Sequence, residues 1–142
     1  MAAIVTLADA VVTQLNAATF DPTVTAERHY RPRVELGDVE DVRVTVVPKA
    51  IRTTAATRGA ASHEGQIDIA IQQRLSDETA AAIDPLMDLV QQIADQLLHR
   101  RLDAMPQALC VRLTNEPIYA VDHLDELRTF TSVLTVTYRL RR

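Results

Sequence analysis

The side chains that could do chemistry fall into two short clusters. The first is the pair His63 and Glu64, which could serve as half of an acid–base pair or as ligands of a metal site. The second, denser cluster consists of Asp122, His123, Asp125 and Glu126. Its oxygen ligands would suit a hard cation, but it lacks the glycine and the distant glutamate of a calcium loop. The patterns favour a solvated loop tip for the first cluster and a solvated turn for the second.

Arginines form a third group of candidate binding residues. Arg28, Arg31 and Arg33 surround Tyr30, and Arg139 lies near the basic end of the chain. Such a run could bind phosphate or nucleic acid, or it could pair with carboxylates of a neighbouring subunit, such as those in residues 35–41. The net charge of −4 argues against a protein that neutralises nucleic-acid phosphates, and therefore favours the subunit interface.

Other catalytic arrangements are absent from the sequence. The single cysteine, Cys110, excludes an internal disulfide and a cysteine-based zinc site. No nucleophile elbow or glycine-rich nucleotide loop is present among only three glycines. Cys110 alternates out of phase with Leu109 and Val111, which places it on the less buried side of a strand. We therefore predict no enzymatic activity, no metal and no cofactor.

Two amphipathic helices are predicted to position these groups. Residues 6–18 form the first, where Thr6 and Asp9 resemble a capping box. Residues 84–103 form the second, with apolar residues at the i, i+3, i+4, i+7 spacing of one helical face. Asp84 followed by Pro85 is typical of a helix start, and the basic residues near position 100 would favour the negative end of the helix dipole.

Alternating apolar residues predict four or five strands. Residues 24–34 form a strand that lies at an edge or contains a bulge, because Pro32 removes a ladder donor. Residues 42–47 and 67–71 alternate regularly, as do residues 109–113 and 130–140. The last strand is about twice the usual length, so we expect it to extend beyond its own core, with the hydroxyls of Thr135 and Thr137 facing a neighbour.

The long segment between the two most regular strands predicts a projecting hairpin. We name residues 51–65 the arm; it includes Arg52, Arg58, His63 and Glu64, and its tip, residues 57–64, is expected to be mobile. Deleting residues 57–64 should leave the fold intact and weaken assembly. The interface residues predicted from the arm, the arginine run and the last strand are Arg28, Arg31, Arg33, Arg52, Arg58, His63, Glu64, Thr135, Thr137 and Arg139.

The order of elements predicts an α+β fold in a single domain of residues 1–142. An antiparallel or mixed sheet of four to five strands would carry both helices on one face. Hydrophobic residues make up 47% and charged residues 24%, as in soluble globular proteins. The N-terminal segment has no basic leader and is interrupted by Asp9, and no apolar run approaches the ~18 residues that span a bilayer. We expect a soluble protein that is cytosolic where it is made and does not bind membranes.

The succession of segments resembles the tail-terminator (tail-completion) proteins in the neck of tailed phages and prophages. It runs from the helix LADAVVTQLNAATF through the strands ERHYRPRVEL and VEDVRVTVVP to the hairpin ending in IDIAIQQRL. The helix LMDLVQQIADQLLHRRL and the strand FTSVLTVTYRL complete it. The resemblance covers nearly the whole chain.

The resemblance implies a virion structural protein that forms a ring of six subunits on the last ring of the tail tube. Its partners would be further copies of itself, the tail tube protein and the head–tail connector or stopper. The genome would pass through the lumen without sequence-specific binding. Another neck protein, such as a stopper, is an alternative, and so is a small α+β enzyme or ligand-binding domain.

Overall fold

The computed structural model describes residues 2–20, 24–30, 42–57, 60–75, 79–116, 118–121 and 129–140. Within these residues the chain forms two helices and six strands. In chain order they are α1 (Ala3–Ala17), β1 (Thr25–Arg28), β2 (Arg43–Thr57), β3 (Ala60–Arg74), α2 (Ala80–Leu97), β4 (Arg101–Leu102), β5 (Met105–Asn115) and β6 (Thr129–Leu140).

The strands form one mixed sheet in the order β1-β2-β3-β6-β5-β4. β1 runs parallel to β2, and every other neighbouring pair is antiparallel. The predicted α+β class is confirmed, with six strands instead of four or five. The additional strand is β4, whose two residues had been assigned to the end of the second helix.

Both helices pack on the same face of the sheet, which we name the core face. Leu7, Val11 and Leu15 of α1 and Leu89 and Ile93 of α2 are fully buried there. The sheet contributes alternate residues of its two central strands, namely Ile67, Ile69, Ile71, Leu134, Val136 and Tyr138. The opposite face, which we name the outer face, carries the intervening residues of each strand.

The helix boundaries differ from the prediction at the capping residues. α1 begins at Ala3, and Thr6 lies inside the helix, where its hydroxyl donates to the carbonyl oxygen of Ala2. α2 begins after Thr79, so Pro85 lies inside the helix instead of at its start. α2 ends at Leu97 because Leu98 has an extended backbone with a ψ of 133°, and a turn through Leu98 and His99 follows, in which His99 has a φ of +60°. The predicted basic residues therefore follow the helix and do not form its last turn.

β6 does not extend beyond the core, contrary to the prediction from its length. It lies in the middle of the sheet and pairs with β3 from Thr129 to Leu140 on one side and with β5 on the other. The length is explained by pairing within the chain, because each of the twelve β6 residues has a partner on β3.

Cys110 lies in the core, which corrects its assignment to the less buried side. A β-bulge between Cys110 and Arg112 shifts the alternation of β5, so that Cys110 pairs with Tyr138 on the core face. Cys110 and Tyr138 are both fully buried. Burial raises the pKa of the Cys110 thiol and also raises the pKa of the Tyr138 hydroxyl. The Tyr138 hydroxyl has no hydrogen-bond partner within the described ranges.

Gly65 marks the point where α1 crosses β3. A Cβ atom at this position would lie 2.6 Å from Cδ2 of Leu7 and 3.4 Å from Cδ1 of Ile4. The absence of a side chain therefore lets the helix approach the strand closely. Beyond Gly65 the hairpin continues away from this contact with α1.

Replacing Gly65 with valine should destabilise the fold, because the new side chain would overlap Leu7. Overpacking of this kind costs about 1–3 kcal/mol of the free energy of unfolding, which denaturant titration measures. The double variant Gly65→Val with Leu7→Ala should lose less than the sum of the two single variants. Strict additivity would show that the two residues do not compete for the same space.

The Cys110 thiol should react slowly with a disulfide reagent in the native protein. Burial and the raised pKa both keep the reactive thiolate scarce, so labelling at about pH 8 should be about 100-fold slower than in denaturant. The absorbance of the thiol that the reagent releases measures the progress of the reaction. Equal rates with and without denaturant would contradict the position of Cys110 in the core.

Candidate interaction surfaces

The arm is the part of the hairpin that leaves the layered body. Ile51 pairs with Gly65 beneath α1, and the two strands continue their pairing through Thr53 and His63 to Ala55 and Ala61. The last pair that joins β3 to β6 is His63 with Leu140. Residues 60–64 form a paired strand and not a loop tip, because all five pair with β2 and two of them, His63 and Glu64, also pair with β6. The predicted projection is present, but its free part is shorter than expected.

Two stretches on the same side of the sheet, the outer edge of β1 and the edge of β2 beyond Val46, differ in the hydrogen-bond partners of their backbone groups. Asn16 of α1 donates to the carbonyl oxygen of Ala26 and accepts from the Ala26 amide, at 3.1 and 2.8 Å. This side chain therefore covers the outer edge of β1. β1 pairs with β2 only as far as Val46. In the described ranges, residues 47–57 of β2 have no strand on that side, and Ile51 is 45% exposed.

Glu64 occupies the centre of a charged row on the outer face. The register places it opposite Arg52 on β2 and opposite Arg139 on β6, so three predicted interface residues are neighbours. Both arginines are exposed, and Glu64 is half-buried. Within the described residues no ion pair of 4.0 Å or less joins Glu64 to either arginine. Directly opposite residues have Cβ atoms about 5 Å apart, so small rotations of the side chains would bring the charges together.

His63 lies on the core side of the arm, away from Glu64. Its Nδ1 atom is 3.0 Å from the hydroxyl oxygen of Thr53, its cross-strand neighbour. Since successive residues of a strand point to opposite faces, the two side chains cannot act as one acid–base pair. The predicted loop tip is replaced by a strand, and the hypothesis of a catalytic pair has no geometric support.

Arg28 is engaged within its own chain. Its Nε atom lies 2.7 Å from a carboxylate oxygen of Asp9 on α1, and one terminal nitrogen donates to the Tyr30 hydroxyl at 3.1 Å. The hydrogen bond with Tyr30, together with the charge of Asp9, raises the pKa of Arg28. Tyr30 itself is 74% exposed, so the cluster still presents an aromatic ring to solvent.

The two threonines predicted at the interface occupy different environments on the outer face. Thr137 is only 3% exposed in the single chain. Thr135 is partly exposed and donates its hydroxyl to Asp68 at 2.7 Å, and Lys49 lies 3.7 Å from the same oxygen. Their assignment to an interface stays a prediction.

Several of the predicted residues lie outside the described ranges. They are Arg31, Arg33 and Arg58, and the potential metal ligands Asp122, His123, Asp125 and Glu126. Among the residues that the structure describes, no group of three or more His, Cys, Asp and Glu side chains could hold a metal ion. An open pocket of about 390 Å³ lies between β1 and β2, where Glu27, His29 and Arg43 contribute charge and polar groups.

Two arginines of the outer face were missed by the sequence reasoning. Arg101 pairs with Leu109, which pairs with Arg139, so Arg101 continues the row that contains Glu64. Arg112 pairs with Thr137 in the next row. Both are exposed. Arg101 and Arg112 are distant from the arm in sequence. Their position beside Glu64 and Arg139 can therefore be recognised only when the register across four strands is known.

Comparison with known proteins identifies the fold. No protein-family model matches the chain, and no curated protein matches it. A chain from the structure of the virion of a native gene transfer agent particle is 14% identical, with a TM-score of 0.59, over 99% of this chain and 98% of that one. A second solved chain, without a functional description, is 10% identical, with a TM-score of 0.55, over 97% and 92%.

A third structure is the sheath/tube terminator of an extracellular contractile injection system in its extended state. It is 14% identical over all of this chain and 58% of that one, but its TM-score of 0.47 is too low to support a conclusion. In the described residues no helix is long and apolar enough to cross a membrane. The chain therefore shares its fold, over nearly its whole length, with a chain of a gene transfer agent virion.

Proposed function

We propose that this protein is a structural subunit of a tailed virion, and that six copies form a ring on the end of the tail tube. The ring stops tube polymerisation and forms the surface that joins the tail to the head. Its partners are further copies of the same chain, the tail tube protein and the head–tail connector or stopper. The chain is made in the host cytoplasm and needs no cofactor.

The arm is the single observation that carries this proposal. It projects past the contact of α1 with Gly65, and within the described ranges residues 47–57 leave one strand edge without a neighbouring strand. An exposed strand edge is a template for pairing with another chain, and folded proteins normally cover such edges. Here β1 is covered by Asn16, whereas among the described residues no strand pairs with the edge of the arm. A neighbouring subunit would complete it by strand addition.

The likeness to the gene transfer agent chain supports the virion assignment. It extends over 99% of this chain and 98% of the other, so it involves the complete fold and not one shared motif. The ring of six and the position at the tube end come from the resemblance of the sequence to tail terminators. A contact between two different surfaces of the same subunit generates a ring when the rotation closes, which agrees with an arm that reaches a neighbour.

Shortening the arm should abolish ring formation without loss of the fold. Replacing residues 55–61 with Asn-Gly keeps the pair Thr54 and Ser62 and closes it with a favourable two-residue turn. This variant keeps His63 and Glu64, whose pairing with β6 the deletion of residues 57–64 would remove. Native mass spectrometry over a concentration series should show an assembly of about 94 kDa, six times 15.7 kDa, for the wild type only.

Circular dichroism is the control for this variant. An unchanged thermal midpoint with loss of the ring supports the assignment of the arm to assembly. A shortened variant that still forms the ring would remove the arm from the interface, and one that unfolds would show that the arm belongs to the core.

Binding to purified tail tubes distinguishes a terminator from a stopper. A terminator should cap one end of each tube and prevent further addition of tube subunits, which negative-stain images and tube lengths report. A stopper should instead bind only after the terminator is present. Absence of binding to tubes under either condition would contradict the proposed function.

A further inference from the structure

The charges of this molecule are separated between its two layers. α1 and α2 contain four carboxylates, Asp9, Asp84, Asp88 and Asp95, and no lysine or arginine. The chain has 19 Asp and Glu residues and 15 Lys and Arg residues, so its net charge of −4 equals the charge of the helical layer. The rest of the chain is balanced overall, and six of its described basic residues lie on the outer face of the sheet: Arg43, Arg52, Arg74, Arg101, Arg112 and Arg139.

Three carboxylates on α2 form a line along one side of the helix, which we name the acidic stripe. Asp84, Asp88 and Asp95, with Gln91 between them, follow the i, i+4, i+7, i+11 spacing of a single helical face. All four residues are exposed. At about 1.5 Å per residue the stripe is about 16 Å long. The side-chain amide of Gln91 donates a hydrogen bond to a carboxylate oxygen of Asp95 at 2.9 Å. This bond orients the carboxylate and does not neutralise its charge.

Three arginines on the outer face form a second line, which we name the basic row. Arg52 on β2, Arg139 on β6 and Arg101 on β4 lie in one register across the sheet, separated by Glu64 and Leu109. Strands lie about 4.8 Å apart, so the row is about 19 Å long and carries an arginine every second strand. Glu64 offsets one of the three charges, and Arg112 in the adjacent row adds another. Arg101 also donates to the carbonyl oxygen of Pro106 at 3.1 Å.

We propose that the basic row of one subunit binds the acidic stripe of the next copy of the same chain. This inference rests on the proposed ring and identifies its second contact, beside the edge of the arm. The two lines have opposite charge, similar length and similar spacing of their charged groups. Arg52 belongs to the arm, so the same neighbour that covers the strand edge also meets the row.

The positions of the two surfaces determine the type of assembly. The acidic stripe lies on a helix of the core face, and the basic row lies on the outer face. The two lines of one subunit therefore cannot contact each other. A contact between two different patches is heterologous and continues from subunit to subunit until it closes or forms a filament. The arginines provide planar groups that can bind carboxylates with two hydrogen bonds each.

Charge reversal on either surface should weaken self-association, and reversal on both should restore it. The basic-row variant is Arg52→Glu with Arg139→Glu, and the stripe variant is Asp88→Lys with Asp95→Lys. Each should lower the association constant in sedimentation velocity about tenfold or more, and one chain with all four substitutions should recover most of the loss. The association of the wild type should also weaken with added salt, since exposed charges are screened.

Two single reversals serve as matched controls. Arg74→Glu changes an arginine on the same outer face, ten residues along β3 from Glu64, or about 33 Å away. Glu116→Lys changes an exposed carboxylate at the end of β5. Neither should alter association by as much as the paired variants. Each control changes the net charge by two and each paired variant changes it by four, so control effects at least half as large in free energy of association would show a response to net charge and would overturn the pairing of these two surfaces.

Zero-length cross-linking locates the contact directly. In the variant Arg52→Lys with Arg139→Lys, a carbodiimide should join the introduced amines to Asp84, Asp88 or Asp95 of another copy, both in free protein and on tail tubes. Mass spectrometry of mixed isotope-labelled copies distinguishes links between chains from links within one chain. Absence of such links in both samples overturns the inference.

The two proposals fail in different ways. If tubes are capped but neither reversal nor cross-linking reveals the contact, the proposed function stands and this interface is wrong. If the basic-row variant associates normally but loses retention of double-stranded DNA, the row binds nucleic acid and the inference is overturned. If no association and no capping occur, both proposals are contradicted.

Discussion

The antiparallel ladder between β3 and β6 is the constraint on which the rest of the structure depends. Twelve residue pairs, from His63 with Leu140 to Arg74 with Thr129, hold the two strands in one register. A shift by one residue would move Ile67, Ile69 and Ile71 from the core face to the outer face and would expose the apolar surface under both helices. The ladder also fixes where β3 leaves the body, and so where the arm begins. The core, the direction of the arm and the order of charges on the outer face all follow from it.

The sequence was sufficient for features that depend on local periodicity. Alternating valines and isoleucines identified β2 and β3, and the apolar face of α2 identified the helix that covers the sheet. β1 lies at an edge of the sheet, as predicted for residues 24–34, but Pro32, on which that prediction rested, lies outside the described residues. The projecting arm followed from a long segment with small, polar residues between two strong strands. These elements are specified by short-range rules, and the structure contains them all.

The remaining features depend on contacts that no local pattern encodes. The central place of β6 was missed because strand length does not reveal how many neighbours a strand has. The bulge at Arg112 reversed the inside and outside of β5 and moved Cys110 into the core. α2 ends where Leu98 becomes extended and a turn through His99 begins, which apolar periodicity cannot predict. The row of Arg52, Glu64 and Arg139 is visible only from the register of three strands, so Arg101 on its continuation and Arg112 in the adjacent row were not recognised.

The central claim is that the open edge of the arm becomes an interface when subunits assemble, and hydrogen exchange tests it most directly. The comparison is between free chain and chain bound to the end of tail tubes, with peptides that cover residues 47–57. The account predicts that the amides of residues 47–57 that face away from β3 exchange rapidly in the free chain and become protected about tenfold or more on assembly, while the amides that face β3 and the β3–β6 ladder are protected in both states. Unchanged exchange of residues 47–57 in the capped tube would contradict it.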